Sequence, residues 1–178
     1  DKVFSEIMGA FTDEDFLKMF SFPIIKGDQE PLSSKKSIVI TEGTAKKLFK
    51  DEEALGRNIS LYNNNFEITA IINDVPENSH ISFDYLLPFQ IMVDRNPDLD
   101  QWGSNSIYTY LQLTENTDDI QMSEKIRNYL KDKDEGTASE LYLQPIFQTH
   151  LHSVGFVADM SGMGDFRYII LFSIISIF

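Results

Sequence analysis

The sequence predicts an α+β fold in which short helices are interspersed with hairpins. Three observations carry that reading. Residues 37–80, SIVITEGTAKKLFKDEEALGRNISLYNNNFEITAIINDVPENSH, run as strand, helix, tight turn and hairpin and close on a Pro-Glu-Asn-Ser-His turn. Further runs, Phe83–Phe89 and Ile107–Leu113, place apolar residues at every second position, the period of a half-buried strand. Helical and strand periods are mixed without the strict strand–helix–strand alternation of a parallel α/β sheet.

Taken in order, Asp1–Phe11 reads as extended, interrupted by Gly9. Thr12, Asp13, Glu14 and Asp15 have the spacing of a capping box with Thr12 as N-cap. Phe16, Met19 and Phe20 follow on one helical face, and Pro23 ends that helix. Lys26–Lys36 is polar, carries Gly27 and Pro31, and reads as a surface loop. Ser37–Ile40 is β-rich. Thr41 can cap the next helix, in which Ala45, Leu48 and Phe49 form an i, i+3, i+4 stripe. Lys46, Lys47 and Lys50 suit the negative end of its dipole. Gly56 turns the chain into strands Ile59–Tyr62 and Phe66–Ile72, with Asn63, Asn64 and Asn65 as the hairpin loop. In the second of these strands Phe66, Ile68, Ala70 and Ile72 form the buried face. Pro88 confines the Phe83–Phe89 strand to an edge or ends it. Val93–Ser106 is irregular and holds Trp102. Asp119–Lys131 is a helix with Met122, Ile126, Tyr129 and Leu130 on one side, and Leu141–Phe147 is a strand interrupted by Pro145.

Composition narrows the function. With 178 residues the chain is one domain, or one domain with two lobes, and can bury a sizeable core. Its 28 acidic and 15 basic side chains give a net charge of −13, which repels nucleic-acid phosphates and anionic lipid headgroups. Absence of cysteine removes disulfides, thiol catalysis and thiolate metal sites. The sequence starts at Asp1 without a signal-peptide pattern, and is expected to be a fragment. Its last eleven residues, YIILFSIISIF, are uncharged but shorter than the roughly 20 a bilayer span needs. They are expected to begin a transmembrane helix; the other reading is a helix or edge strand packed on the domain.

No motif carries catalysis. His150 and His152 could share one strand face and bind zinc, but a third ligand would have to come from distant His80 or a carboxylate. Asp94–Asp98 begins like a calcium loop yet has Leu99 where glycine is needed and Asn105 where glutamate is needed. Ser161–Gly164 is too short for a phosphate cradle. Asp13, Glu14 and Asp15 are explained as acids in the first turn of a helix. Asn58-Ile59-Ser60 fits a glycosylation sequon but falls in a strand. In Pro76–His80, a turn with Asn78 and Ser79 bonded to nearby backbone competes with a site.

The stretch resembles the periplasmic core domain of MacB-type (FtsX-like) ABC transporter permeases. The residues that carry the resemblance are Asp15–Pro23, Gly27-Asp28, Ile38–Glu42, Ala45–Phe49, Leu55-Gly56, Phe66–Ile72, Asp74–His80 and Phe83-Asp84, with Trp102 and Tyr108–Tyr110 later. It runs from about residue 11 to 178. Lys50 stands where glycine is common, and Ala54 where proline is common, both in what reads as a surface turn.

The resemblance implies a two-lobed mixed domain of short helices packed on small, mainly antiparallel sheets, lying outside the inner membrane between the first two transmembrane helices. Residues 1–167 would be this domain, with about 12–90 in the outer lobe and about 103–153 in part of the membrane-proximal porter lobe. Residues 168–178 would open the second membrane helix, and a first strand and helix of the porter lobe would precede Asp1. It implies no catalytic residue, cofactor or metal. The implied partners are a cytoplasmic ABC ATPase, the inner membrane through flanking helices, a second permease copy and a periplasmic adaptor, and no nucleic acid. Candidate contact residues are Asn63, Asn64, Asn65, Glu77, Asn78, His80 and Trp102. Two alternatives are a ligand-sensing or substrate-capturing domain with a Phe- and Tyr-lined pocket, and an envelope enzyme, which would need His80, His150 and His152 close together.

Overall fold

Ser37–Thr41 (β3) is a run of β-branched residues ending in a helix cap, and all five of its residues are buried. A strand covered on both faces needs neighbours on both edges and layers above and below. The computed structural model, which describes residues 7–102, 107–133, 136 and 138–149, supplies the neighbours. The chain divides into two compact units, Asp1–Pro97 and Asp98–Phe178.

The first unit is built on one six-stranded mixed sheet. Besides β3 it contains Gly9–Thr12 (β1), Ile24–Gly27 (β2), Asn58–Leu61 (β4), Asn64–Ile72 (β5) and Tyr85–Pro88 (β6), in the order β1-β6-β3-β5-β2, with β4 also paired to β5. The pairs β1–β6 and β3–β5 are parallel; β2–β5, β3–β6 and β4–β5 are antiparallel. Pro88 does not mark an edge, because β6 lies between β1 and β3; it ends the strand. Lys26 and Gly27, expected in a surface loop, belong to β2, and Pro31 and Leu32 in the same stretch are buried.

The buried face of β5 changes along its length. Ile38 is opposite Ile68 but Val39 is opposite Ala70, so Thr69 is an extra residue on β5. The bulge flips the alternation. Ile71 therefore joins Phe66 and Ile68 in the main core with Ile38, Ile40, Tyr85, Leu87 and Ile91, and Ala70 and Ile72 turn to the other face. Strict period-2 reading had put Phe66, Ile68, Ala70 and Ile72 together. Both faces are covered, so Ala70 and Ile72 are buried as completely as Ile68. Thr69 Oγ1 donates to the Pro31 carbonyl at 2.7 Å, and Asp28 N–H donates to the Thr69 carbonyl, which anchors the bulge. Gly27 lies beside it at φ 113°, where a Cβ would come within 2.2 Å of the Thr69 carbonyl oxygen. Only glycine fits that approach.

Two helices of this unit show how caps are chosen. Glu42–Phe49 (α2) is capped by Thr41, whose Oγ1 accepts from Thr44 N–H, and Ala45 and Phe49 pack on the core as the stripe requires. Phe16–Met19 (α1) begins after Asp15, not after Thr12. Thr12 is instead the last residue of β1, and its carbonyl accepts from Phe89 N–H. Strand pairing has taken the residue that the capping-box spacing assigned to the helix. Gln90–Arg95 (α3), in a stretch partly read as irregular, places Ile91 in the core.

Lys50 and Ala54 are also resolved. Lys50 closes α2 at φ 58° and ψ −116°, a conformation that favours glycine. Ala54 is not on the surface; it is a buried core residue.

The described part of the second unit holds Asp119–Ile126 (α4) and Tyr129–Lys133 (α5), so the expected helix is interrupted at Arg127 and Asn128. Asp118 caps α4 through its carboxylate, which accepts from Ile120 and Gln121 N–H. Neither expected strand is present. Ile107–Leu113 has no strand pairing among the described residues. Leu141 and Leu143 give their N–H groups to the Arg127 carbonyl and to Ser123 Oγ, so that segment is bonded to the helical region, and Ile146–Gln148 is a 3-10 turn. Among the described residues no helix is long and apolar enough to cross a membrane; residues 168–178 lie outside them.

Candidate functional site

The hairpin that was expected to carry a three-residue loop is tighter. Leu61 is opposite Asn64, leaving Tyr62 and Asn63 as the turn, at φ 52° and 61°. Two successive positive φ values are what a type I′ hairpin needs to match strand twist. Asn63 is thus in the turn, while Asn64 and Asn65 begin β5, and Asn64 Nδ2 donates to the Tyr62 carbonyl. Tyr62 is 61% exposed, yet its hydroxyl lies 3.3 Å from that of buried Tyr85. Burial first, and the Tyr62 hydroxyl second, hold the Tyr85 phenol well above the usual tyrosine range.

Beside this hairpin is a groove of about 520 Å³. The hairpin contributes Asn58, Asn64, Asn65 and Glu67; the loop before β3 contributes Lys35 and Lys36; α3 contributes Asp94 and Arg95. Phe66 and Ile91, 3% and 7% exposed, line it from the core. Lys35 Nζ donates to Asp94, which ties the loop to α3, and Gln90 donates to the same carboxylate. Those two bonds, Lys35 first, hold the Asp94 carboxyl below the usual carboxylate range. Lys36 and Arg95 form no ion pair with a described residue. Three cations, two carboxylates and three side-chain amides over an apolar floor can bind; they have no arrangement of nucleophile and base.

The remaining candidates fall elsewhere. Glu77 and Asn78 are exposed in a turn closed by Ser79 N–H on the Pro76 carbonyl. Ser79 Oγ accepts from Ile81 N–H, so the serine half of the local-bonding expectation is met. His80 is half-buried with its ring 5.8 Å from Phe20, at the side of a cluster in which Phe16, Phe20, Phe22 and Phe83 stack and tilt on one another. Trp102 is in the second unit, edge-on to Tyr129 at 5.7 Å with Lys133 Nζ over both rings. Of the proposed contact residues, Asn64 and Asn65 line the groove, Asn63 is in the adjoining turn, Glu77, Asn78 and His80 share one loop, and Trp102 belongs to the other unit. Asp13, Glu14 and Asp15 are separate again; Asp15 pairs with Lys18. His150, His152 and Ser161–Gly164 lie outside the described residues. Among the described residues no three His, Asp or Glu side chains are grouped to hold a metal ion.

Sequence reasoning missed Lys35, Lys36, Ile91 and Arg95. The adjacent lysines stood out against an acidic chain, but nothing local brings residues 35, 64 and 95 together; β3–β5 pairing and the packing of α3 do.

The sheet and its helices form a mixed α+β domain that can be set beside known proteins. The MacB-like periplasmic core domain pattern matches residues 1–129, and the chain belongs to that family. A domain of a Porphyromonas gingivalis protein described as a permease matches with TM-score 0.62 and 25% identity, over 75% of this chain and 56% of that one. The periplasmic region of MacB from Actinobacillus actinomycetemcomitans matches with TM-score 0.57 and 12% identity, over 80% and 64%. The extracellular domain of the noncanonic ABC-type transporter YknZ from Gram-positive bacteria gives 0.55 and 15%, over 80% and 74%. The mixed α+β architecture is the one these domains share. The chain thus spans less than two thirds of the first two structures it matches. No curated protein matches it.

Proposed function

We propose that this chain is the extracytoplasmic part of an ABC exporter permease and passes ATP-driven movement of the membrane helices to the periplasmic side. ATP would be hydrolysed by a separate cytoplasmic subunit or domain. Residues 12–90 would belong to the outer lobe, 103–153 to the porter lobe, and 168–178 would open a membrane helix. The observation that carries the reading is the family match over residues 1–129. The sheet supports it physically: its strands β3 and β6 are buried throughout, and a close-packed centre of this kind moves as one body, which is what force transmission requires.

The test uses the whole permease with its ATPase. Excising this domain should abolish export while ATP binding by the partner persists; undiminished export would reject the mechanical role. The groove beside the hairpin favours a second reading, ligand capture or sensing. Under it, thermal-shift screening of the chain against peptides, lipids and antibiotics would give reproducible stabilisation.

A further inference from the structure

We infer that the groove beside the β4–β5 hairpin is a docking site for a short, acidic, extended segment of a partner protein. The inference rests on the reading above for the setting, a domain whose work is done through contacts; the binding chemistry is the groove's own.

The argument begins from charge. The chain carries 28 acidic against 15 basic side chains, yet three of the ten residues lining this groove are Lys35, Lys36 and Arg95. One of the three is neutralised: Lys35 is bonded to Asp94 and holds the loop to the helix. Lys36 and Arg95 keep their charges for something outside the described residues. Arginine offers a planar fork that pairs with a carboxylate through two bonds, whereas lysine offers a mobile point charge. Together they suit one or two carboxylates.

Glu67 and Asp94 on the same walls set the upper limit. A polyanion such as nucleic acid, or a sheet of lipid phosphates, would meet these carboxylates and the net charge of −13. A segment with one or two acids is repelled far less than a polyanion. The three amides of Asn58, Asn64 and Asn65 provide donors and acceptors in the form a peptide backbone matches. Phe66 and Ile91 give the floor an apolar patch for a side chain between the acids. The volume of about 520 Å³ accommodates a few residues, not a folded surface. An alternating acidic and apolar peptide in extended form meets all of these constraints.

The test is a titration of the 178-residue chain, isotope-labelled for NMR, with an acetylated and amidated tetrapeptide alternating glutamate and valine, which carries two carboxylates. Saturable shifts confined to Lys35, Lys36, Asn64, Asn65, Ile91 and Arg95 are expected. A peptide with lysine in place of glutamate should give none. Lys36→Gln with Arg95→Gln, shown to be folded by an unchanged amide spectrum elsewhere, should weaken binding about tenfold or more. Lys36→Arg should largely retain it.

Equal response to the lysine peptide, shifts centred elsewhere, or indifference to the double variant would overturn the proposal. So would equal binding of free glutamate or inorganic phosphate, which would make this a small-anion site. Preferential binding to phosphatidylglycerol vesicles would make it a membrane site and would overturn it as well. If the titration succeeds and domain excision leaves export intact, the groove stands and the mechanical role falls. If the titration fails and excision abolishes export, the reverse holds.

Discussion

The two units of this chain spend similar sequence patterns on different ends. Among the described residues, every buried apolar residue of the core lies between Leu17 and Ile91, in the first unit. In the second, α4 and α5 have no fully buried residue, and Trp102, Ile107, Tyr108, Leu111, Ile120, Tyr129, Tyr142, Ile146 and Phe147 are all exposed among the described residues. Yet FEITAII of β5 and IYTYLQL of Ile107–Leu113 carry comparable alternation. Alternation states which side chains want cover; a strand also needs a neighbour to take its backbone hydrogen bonds. The first run finds β2, β3 and β4. The second finds no strand among the described residues.

The widest separation between the units should come from truncating a matched pair of large side chains. Ile40 is fully buried on the central strand, and Ile40→Ala should cost about 4 kcal/mol through lost burial and the cavity left behind. Phe147 is 80% exposed, and Phe147→Ala should change stability by no more than about 0.5 kcal/mol. Urea unfolding of both variants checks this. Equal effects would break the contrast.

Next comes the bulge, a backbone feature that the second unit has no counterpart for among its described residues. Gly27→Ala forces a Cβ against the Thr69 carbonyl at a φ few L-residues adopt, and should destabilise by about 2–3 kcal/mol. A crystal structure or chemical-shift map of the variant should show the disturbance at Thr69 and Ala70.

How much of this could be seen in the sequence follows from where the information lies. Thr41 with Glu42–Phe49 was legible because a cap and an i, i+3, i+4 stripe are local, and the Tyr62–Asn63 turn was legible to within two residues. The strand pairing that claimed Thr12, the Thr69 bulge that brought Ile71 onto the main-core face, and the Leu141–Leu143 segment bonded to α4 depend on partners far along the chain. The groove was illegible for the same reason. Lys36, Asn64 and Arg95 become neighbours only after the sheet has formed. The family resemblance gave the family and the α+β class, and none of these pairings.

Two local features of α2 give smaller effects of opposite sign. Thr41 Oγ1 accepts from Thr44 N–H and lies 3.0 Å from the Thr44 hydroxyl, so Thr41→Ala should cost about 1 kcal/mol. Lys50, at φ 58° where relatives of this fold were expected to have glycine, holds a conformation that glycine adopts without strain. Lys50→Gly should stabilise by about 0.5–1 kcal/mol, measured as a raised urea midpoint at unchanged m. A lowered midpoint would mean that the lysine conformation is not strained.

The smallest effect sharpens the comparison by removing burial from it. Each unit has an exposed carboxylate held by a lysine, Asp94 by Lys35 in the first and Glu140 by Lys131 in the second, and each carboxyl is drawn below its usual value chiefly by that lysine's hydrogen bond. A depressed folded-state pKa means the pair contributes above the ordinary value, 3.8 for the aspartate and 4.5 for the glutamate, and loses its contribution as pH falls through the lower folded-state value. Carbon-detected titration should place both midpoints below those values, and Lys35→Met and Lys131→Met should each return its partner toward the ordinary value. Because both pairs are solvated, neither variant should move the urea midpoint measurably. Similar titrations in the two units, beside very different costs for Ile40 and Phe147, would locate their difference in apolar burial and not in surface charge. A large acid-linked loss of stability on removing either lysine would contradict that division.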